Sequence, residues 1–167
     1  FAYGEALTGA LPEINRRLEE AGSIKRYKNL LGVTLGTGFG AGVVLNGNLL
    51  EGDNAAGGDI WCFRNKKYQS YIVEESVSIR AVQHIYGLLS GDAPPFTPKD
   101  IYDIAEGTRP GDQEAARSAF AELGEMAGDA LAQAITLIDG LIVIGGGLTG
   151  AAKYFMPSLL KEMNSET

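Results

Sequence analysis

Apolar and polar positions change rhythm several times along this chain, and each change marks an element. In FAYGEALTGALPEINRRLEEAG, Ala2, Ala6, Leu7, Ala10 and Ile14 recur at helical spacing. That predicts one helix already under way at the first residue and stopped near Gly22. Segments 30–35 (LLGVTL) and 42–46 (GVVLN) then alternate and β-branch as strands do, and Asn46-Gly47 or Gly47-Asn48 supplies a tight turn into NLLEG. Three antiparallel strands are expected. A loop rich in Gly, Asp and Asn covers 52–59, and WCFRNKKYQ reads as a basic, irregular surface stretch.

From Ile72 to Leu89 the period turns helical, with Val73, Val77, Ala81, Ile85 and Leu88 on one face. SGDAPPF (90–96) is a loop. TPKD opens a helix, with Thr97 as N-cap, Pro98 at the first helical position and Asp100 reaching back. The span 112–139 is one long helix whose second half is apolar nearly all round and is expected to be buried. A buried strand at 141–145 and a helix at about 149–163 complete the pattern. The order is α, hairpin and strand, several α, β, α. It indicates an α/β fold with a mixed sheet, antiparallel hairpin strands included, flanked by helices. Because the opening helix has no capping residue and KEMNSET ends on a polar helix turn, both termini are expected to be cut.

Charge and composition narrow the function. The 167 residues fit one domain. The net charge of −7 repels phosphate backbones, which argues against nucleic acid as a partner. No apolar run approaches the roughly 18 residues of a membrane span, and the opening residues do not read as a signal peptide. A lone Cys62 excludes an internal disulfide and fits a reducing compartment, with the cytoplasm as the default location.

Two glycine-rich elements carry the candidate chemistry. TLGTGFGAG (34–42) lacks the Gly-Lys-Ser/Thr of a P-loop, and the strand that follows it excludes a dinucleotide fingerprint. It is a glycine-lined hairpin: either a bulged tight turn, or a place where bare backbone N–H groups and the Thr37 hydroxyl meet a phosphate. IGGGLTG (144–150) matches G-x-G-x-x-G between a strand and a helix. A dinucleotide-dependent oxidoreductase would need a βαβ unit and a later acidic residue, neither of which follows. A plain strand-to-helix turn and a nucleotide site at a helix N-terminus remain open for it.

Taken together, LGVTLGTGFGAGVVLNGNLLEGDNAAGGDI and LIVIGGGLTG resemble the ROK family (repressors, open reading frames and kinases) of bacterial sugar kinases. The resemblance covers nearly the whole chain. It implies the ribonuclease H-like, actin-like ATPase architecture, with residues 1–167 as the carboxy-terminal lobe of a two-lobe, glucokinase-like enzyme. ATP with Mg2+ and a hexose or N-acetylhexosamine would be its substrates, and a homodimer its assembly. By that resemblance Gly36, Thr37 and Gly38 hold the ATP phosphates, and Gly145, Gly146 and Gly147 lie by the adenosine. Asp59 stands where the family has a sugar-binding Glu, and Glu74 matches a second sugar contact, with Glu75 as the neighbouring register. The family's general base is an Asp expected just upstream of Phe1, so no catalytic residue is assigned within the chain, which is expected to be inactive alone.

The family's zinc-binding His is replaced by Cys62, and no Cys follows in FRNKKYQSYI, so zinc is expected to be absent and no metal ligand is assigned. His84 reads as a surface or packing residue, and Lys66-Lys67 as solvated loop charge. Trp61 is equally compatible with walling a sugar site and with burial against the sheet. A sugar-sensing ROK repressor and a catalytically dead interaction domain are the alternative readings.

Overall fold

The computed structural model describes residues 1–91 and 95–164; residues 92–94 of the expected loop and 165–167 of the expected polar end lie outside the described residues. Two short helices open the chain, α1 (Ala2–Leu7) and α2 (Ala10–Glu20). The single helix expected here is broken at Thr8-Gly9. Gly9 has no side chain to cap α2, and the Glu5 carboxylate takes that role by accepting the Ala10 amide at 2.8 Å.

Three strands follow: β1 (Leu30–Leu35), β2 (Phe39–Leu45) and β3 (Asn48–Leu49). β1–β2 and β2–β3 are antiparallel, as the hydrophobic pattern predicts. The β2–β3 turn uses Asn46 and Gly47 at φ 50° and 81°, the left-handed pair that matches strand twist in a two-residue hairpin. After the helices, β4 (Leu141–Gly145) pairs with β1 in parallel, giving the order β3-β2-β1-β4. β4 was expected to be buried but is half-buried along its length, because β1 is its only partner and it forms the sheet edge among the described residues.

The pleat sends alternate residues to two cores. Leu31, Val33, Leu35, Phe39 and Val43 join a large core with the later helices, while Leu30 and Val44 meet Ala2 and Leu11 on the opposite face. The later helices are α3 (Ile79–Ser90), α4 (Pro98–Glu106), α5 (Gln113–Ile138) and α6 (Ala152–Met163). α4 carries the expected capping box between Thr97 and Asp100. α3 starts at Ile79 rather than Ile72, because the Ser78 hydroxyl accepts the Ala81 amide and caps the helix there. Upstream, Val73–Glu75 make only one 3-10 turn.

Two buried faces are narrower than expected. Leu88 is 66% exposed, and at the end of α5 Leu137 is 86% exposed. Within α5, full burial holds from Ala115 to Ala134; in the last turn Ile135 and Ile138 still pack against the core, half-buried, while Leu137 faces outward.

Candidate functional site

Parallel pairing of β1 and β4 brings both glycine elements to one end of the sheet: β1 runs into Gly36 and β4 into Gly146. They meet closely. A β-carbon on Gly36 would lie 4.0 Å from the Gly147 nitrogen. Gly146 is at φ 98°, a backbone conformation open to glycine and strained for other residues. Its carbonyl accepts from both the Thr149 hydroxyl (2.8 Å) and the Thr149 amide (3.1 Å), closing a 3-10 turn, Gly147–Ala151, ahead of α6.

Between the two turns lies an open cleft of about 510 Å³ lined by Gly36, Thr37, Gly38, Trp61, Glu74 and Gly146, among others. Thr37 is exposed at the hairpin tip. A clasp behind the tip fixes its shape. The Gly36 carbonyl accepts the Ile79 amide at 2.8 Å, at the start of α3. Glu74 Oε2 accepts the Phe39 amide at 3.0 Å, and its other carboxylate oxygen accepts from Arg80 at 3.0 Å. Arg80 also reaches the Thr37 carbonyl at 3.3 Å and both oxygens of Glu75, at 2.6 and 3.1 Å. These bonds hold the Glu75 carboxyl below its ordinary value and the Arg80 guanidinium above its own. Gly38 leaves room for this clasp, since a β-carbon there would sit 2.5 Å from Glu74 Oε2 and would have to displace that carboxylate.

The structure therefore brings Gly36, Thr37, Gly38, Glu74 and Gly146 together. Gly147 lines a neighbouring hollow of about 270 Å³ with Tyr102, Phe120, Leu148 and Gly150. Gly145 sits beneath, against the Phe1 ring, and lines neither. Asp59 is exposed and borders a different, apolar hollow with Val43, Leu45, Ile60 and Leu137. Glu75 belongs to the clasp and not to the cleft lining. Arg80 escaped sequence reasoning. The signal was a cation five and six residues beyond the adjacent acids Glu75 and Glu74.

The segment after Cys62 is held by side chains. Asn65, 2% exposed, donates to the Ile72 carbonyl (3.3 Å) and the Ser76 hydroxyl (2.8 Å) while accepting the Lys67 and Tyr68 amides. Lys66 pairs with Glu125 (3.0 Å) and Glu162 (2.7 Å), and Lys67 with Glu122 (2.6 Å), so these are not merely solvated loop charges. Burial lowers the Lys66 pKa, but its bonds to Glu162 and Glu125 outweigh that and hold it above the ordinary lysine value. Cys62 is exposed and donates to the Asp59 carbonyl, and His84 is exposed on α3. No helix among the described residues is long and apolar enough to cross a membrane.

Known proteins share this fold. The chain is similar to the glucokinase of Parabacteroides distasonis ATCC 8503, with 78% identity and a TM-score of 0.96 over 98% of this chain and 46% of that one. It is 29% identical to the N-acetyl-D-glucosamine kinase of Pectobacterium carotovorum subsp. carotovorum (strain PC1), covering 75% of this chain and 45% of that protein. The ROK hexokinase of Thermus thermophilus shares the fold at 21% identity, with a TM-score of 0.67 over 82% of this chain and 47% of its own. The chain thus spans about half the length of each. The ROK family pattern matches residues 18–166, and the chain belongs to the ROK family.

Proposed function

We propose that the chain forms one wall of the active site of an ATP-dependent sugar kinase that phosphorylates a hexose or N-acetylhexosamine. The observation that carries this reading is the meeting of the two glycine turns across one cleft, with Glu74 on its wall. Bare amides at Gly36–Gly38 and the Thr37 hydroxyl offer donors to phosphate oxygens at close range. Phosphoryl transfer depends mainly on such positioning and charge stabilisation. Gly146 and Gly147 lead from the cleft into the hollow of Tyr102 and Phe120, whose aromatic walls suit a purine base. The similarity to a glucokinase and an N-acetyl-D-glucosamine kinase supports the acceptor class.

Glu74 keeps lone pairs beyond those used by Phe39 and Arg80, so it can accept a sugar hydroxyl while still holding the hairpin. Asp59 faces another hollow, so the sugar contact on this wall falls to Glu74. Mg2+ would enter with ATP. Glu74 is the only carboxylate among the cleft-lining residues and is already paired, so this wall does not fit a metal ion and no step is assigned to one. Proton removal from the attacking hydroxyl is assigned to an Asp on a segment preceding Phe1, and the 167 residues alone are expected to bind ATP weakly without turnover.

The test is hexose-dependent ADP release by the complete gene product, measured with glucose and N-acetylglucosamine. Formation of a hexose phosphate supports the reading. Sugar binding without phosphoryl transfer would overturn it in favour of a sensor.

A further inference from the structure

We infer that Trp61 is a specificity-determining residue of the cleft, its indole face forming the platform on which the C–H face of a pyranose rests. The inference deepens the kinase reading and rests on it. Trp61 is the only tryptophan in the chain and is 40% exposed, although an indole gains more from burial than almost any other side chain. Its backbone is fixed. Ile60, 4% exposed, anchors the one-turn helix Ile60–Cys62 in the core, and the Phe63 amide closes that turn on the Ile60 carbonyl at 3.1 Å. Trp61 lines the cleft with Glu74 and the glycine hairpin. Among the described residues it stacks on no other ring, meets no cation, and its N–H has no protein acceptor. An exposed, unpartnered aromatic side chain on a backbone so anchored, lining a cleft, is a surface open to a ligand.

The ligand chemistry follows by elimination within the cleft. The face of an aromatic ring is electron-rich and gives nothing to a phosphate. A purine already has its own hollow, walled by Tyr102 and Phe120. What an indole beside a carboxylate suits is a ring with an apolar face and a hydroxylated edge. The C–H face would lie on Trp61, and the hydroxylated edge would donate to Glu74. The face that rests on the indole is the one carrying the axial C2 and C4 hydrogens of a gluco-configured ring, the same face from which the axial C4 hydroxyl of the galacto epimer projects. The wall therefore selects gluco-configured pyranoses over their axial C4 epimers.

Tryptophan emission also supplies the readout. In the complete gene product, the part of that emission lost in Trp61→Ala is expected to change on titration with glucose or N-acetylglucosamine, and far less with galactose. Trp61→Ala is expected to raise the KM for the gluco-sugar about tenfold, to leave the KM for ATP within about twofold, and to erase most of the gluco-over-galacto preference. Trp61→Phe is expected to restore most of both. Circular dichroism melts confirm that each variant is folded. If the native enzyme phosphorylates sugar and Trp61→Ala leaves sugar KM and epimer preference unchanged, this inference is overturned and the kinase reading stands. A rise confined to ATP KM overturns it in the same way. If the native protein transfers no phosphoryl group to any hexose, both fall.

Discussion

Glu74 and Arg80 form an ion pair at 3.0 Å directly behind the glycine hairpin, one reaching the Phe39 amide and the other the Thr37 carbonyl. The pair ties both sides of the hairpin tip to the start of α3. It also offsets a negative charge that would otherwise face the proposed phosphate site. Arg80 is 46% exposed, so solvent tempers the strength of its bonds. Arg80→Gln is expected to weaken ATP binding about fivefold to tenfold, with a smaller effect on sugar binding. Arg80→Lys, which keeps the charge but not the fork, should recover only part of the loss. Calorimetric titration with a non-hydrolysable ATP analogue checks both.

The same clasp has an acid limit. Arg80 holds the Glu75 carboxyl below its ordinary value of 4.5. For a carboxyl depressed on folding, the stabilising contribution is present above the unfolded value and is lost as pH falls through the lower folded one. Melting temperature should therefore fall on acidification below 4.5, and Glu75→Gln should flatten part of that dependence. Thermal melts of the two proteins across that range supply the comparison.

Gly36 and Gly38 should respond differently to one added methyl. At Gly36 the nearest atom to a new β-carbon is 4.0 Å away, so Gly36→Ala should fold normally yet crowd the gap between the glycine turns and weaken ATP binding. At Gly38 the methyl would displace the Glu74 carboxylate. Gly38→Ala should therefore lose about 1–2 kcal/mol of stability as well as nucleotide affinity. Paired melts and ATP titrations separate the two cases.

α5 sets helix propensity against packing. Ala in place of Gly128 would gain roughly 1 kcal/mol of propensity. Its β-carbon, however, would come within 2.6 Å of the Leu159 carbonyl and 2.9 Å of Glu162 Cβ in α6. Overpacking against backbone costs about 1–3 kcal/mol, so Gly128→Ala is expected to melt lower than the native protein. A higher melting temperature would show that α6 shifts freely.

Residues 63–72 make a further case. Asn65→Ala removes a buried hub of four hydrogen bonds and should cost about 2–3 kcal/mol. EDTA should leave the melting temperature unchanged, because Asn65 and the Lys66 and Lys67 ion pairs hold this segment through side chains. A downward shift of several degrees on chelation would reveal a structural metal.

What was legible in the sequence is what local chemistry decides. The alternation of LLGVTL, the Asn46-Gly47 turn and the Thr97–Asp100 box each act within a few residues, and each stands where expected. The errors arose at local caps that the hydrophobic pattern does not announce and, in β4, where distant groups intervene. Glu5 caps a second helix across Gly9, Ser78 delays α3, and β4 stays half-buried because its neighbours, not its composition, set its exposure. In the site, the two glycine turns were readable as a pair. That Glu74 is held by Arg80, and that Asp59 faces another hollow, depends on how loops pack onto α3 and α5. No spacing in the sequence encodes that.

The parallel register of β1 and β4, with Leu30 opposite Leu141 and Thr34 opposite Gly145, works as a ruler. A slip of one residue would carry Gly146 about 3.3 Å along the strand axis and turn the faces of β4 over. The accuracy with which the two glycine turns confront each other is thus set by Leu31, Val33, Ile142 and Ile144, apolar side chains that pack into the core and do not line the cleft. Errors in the core would surface first as lost nucleotide affinity, before the protein lost its fold.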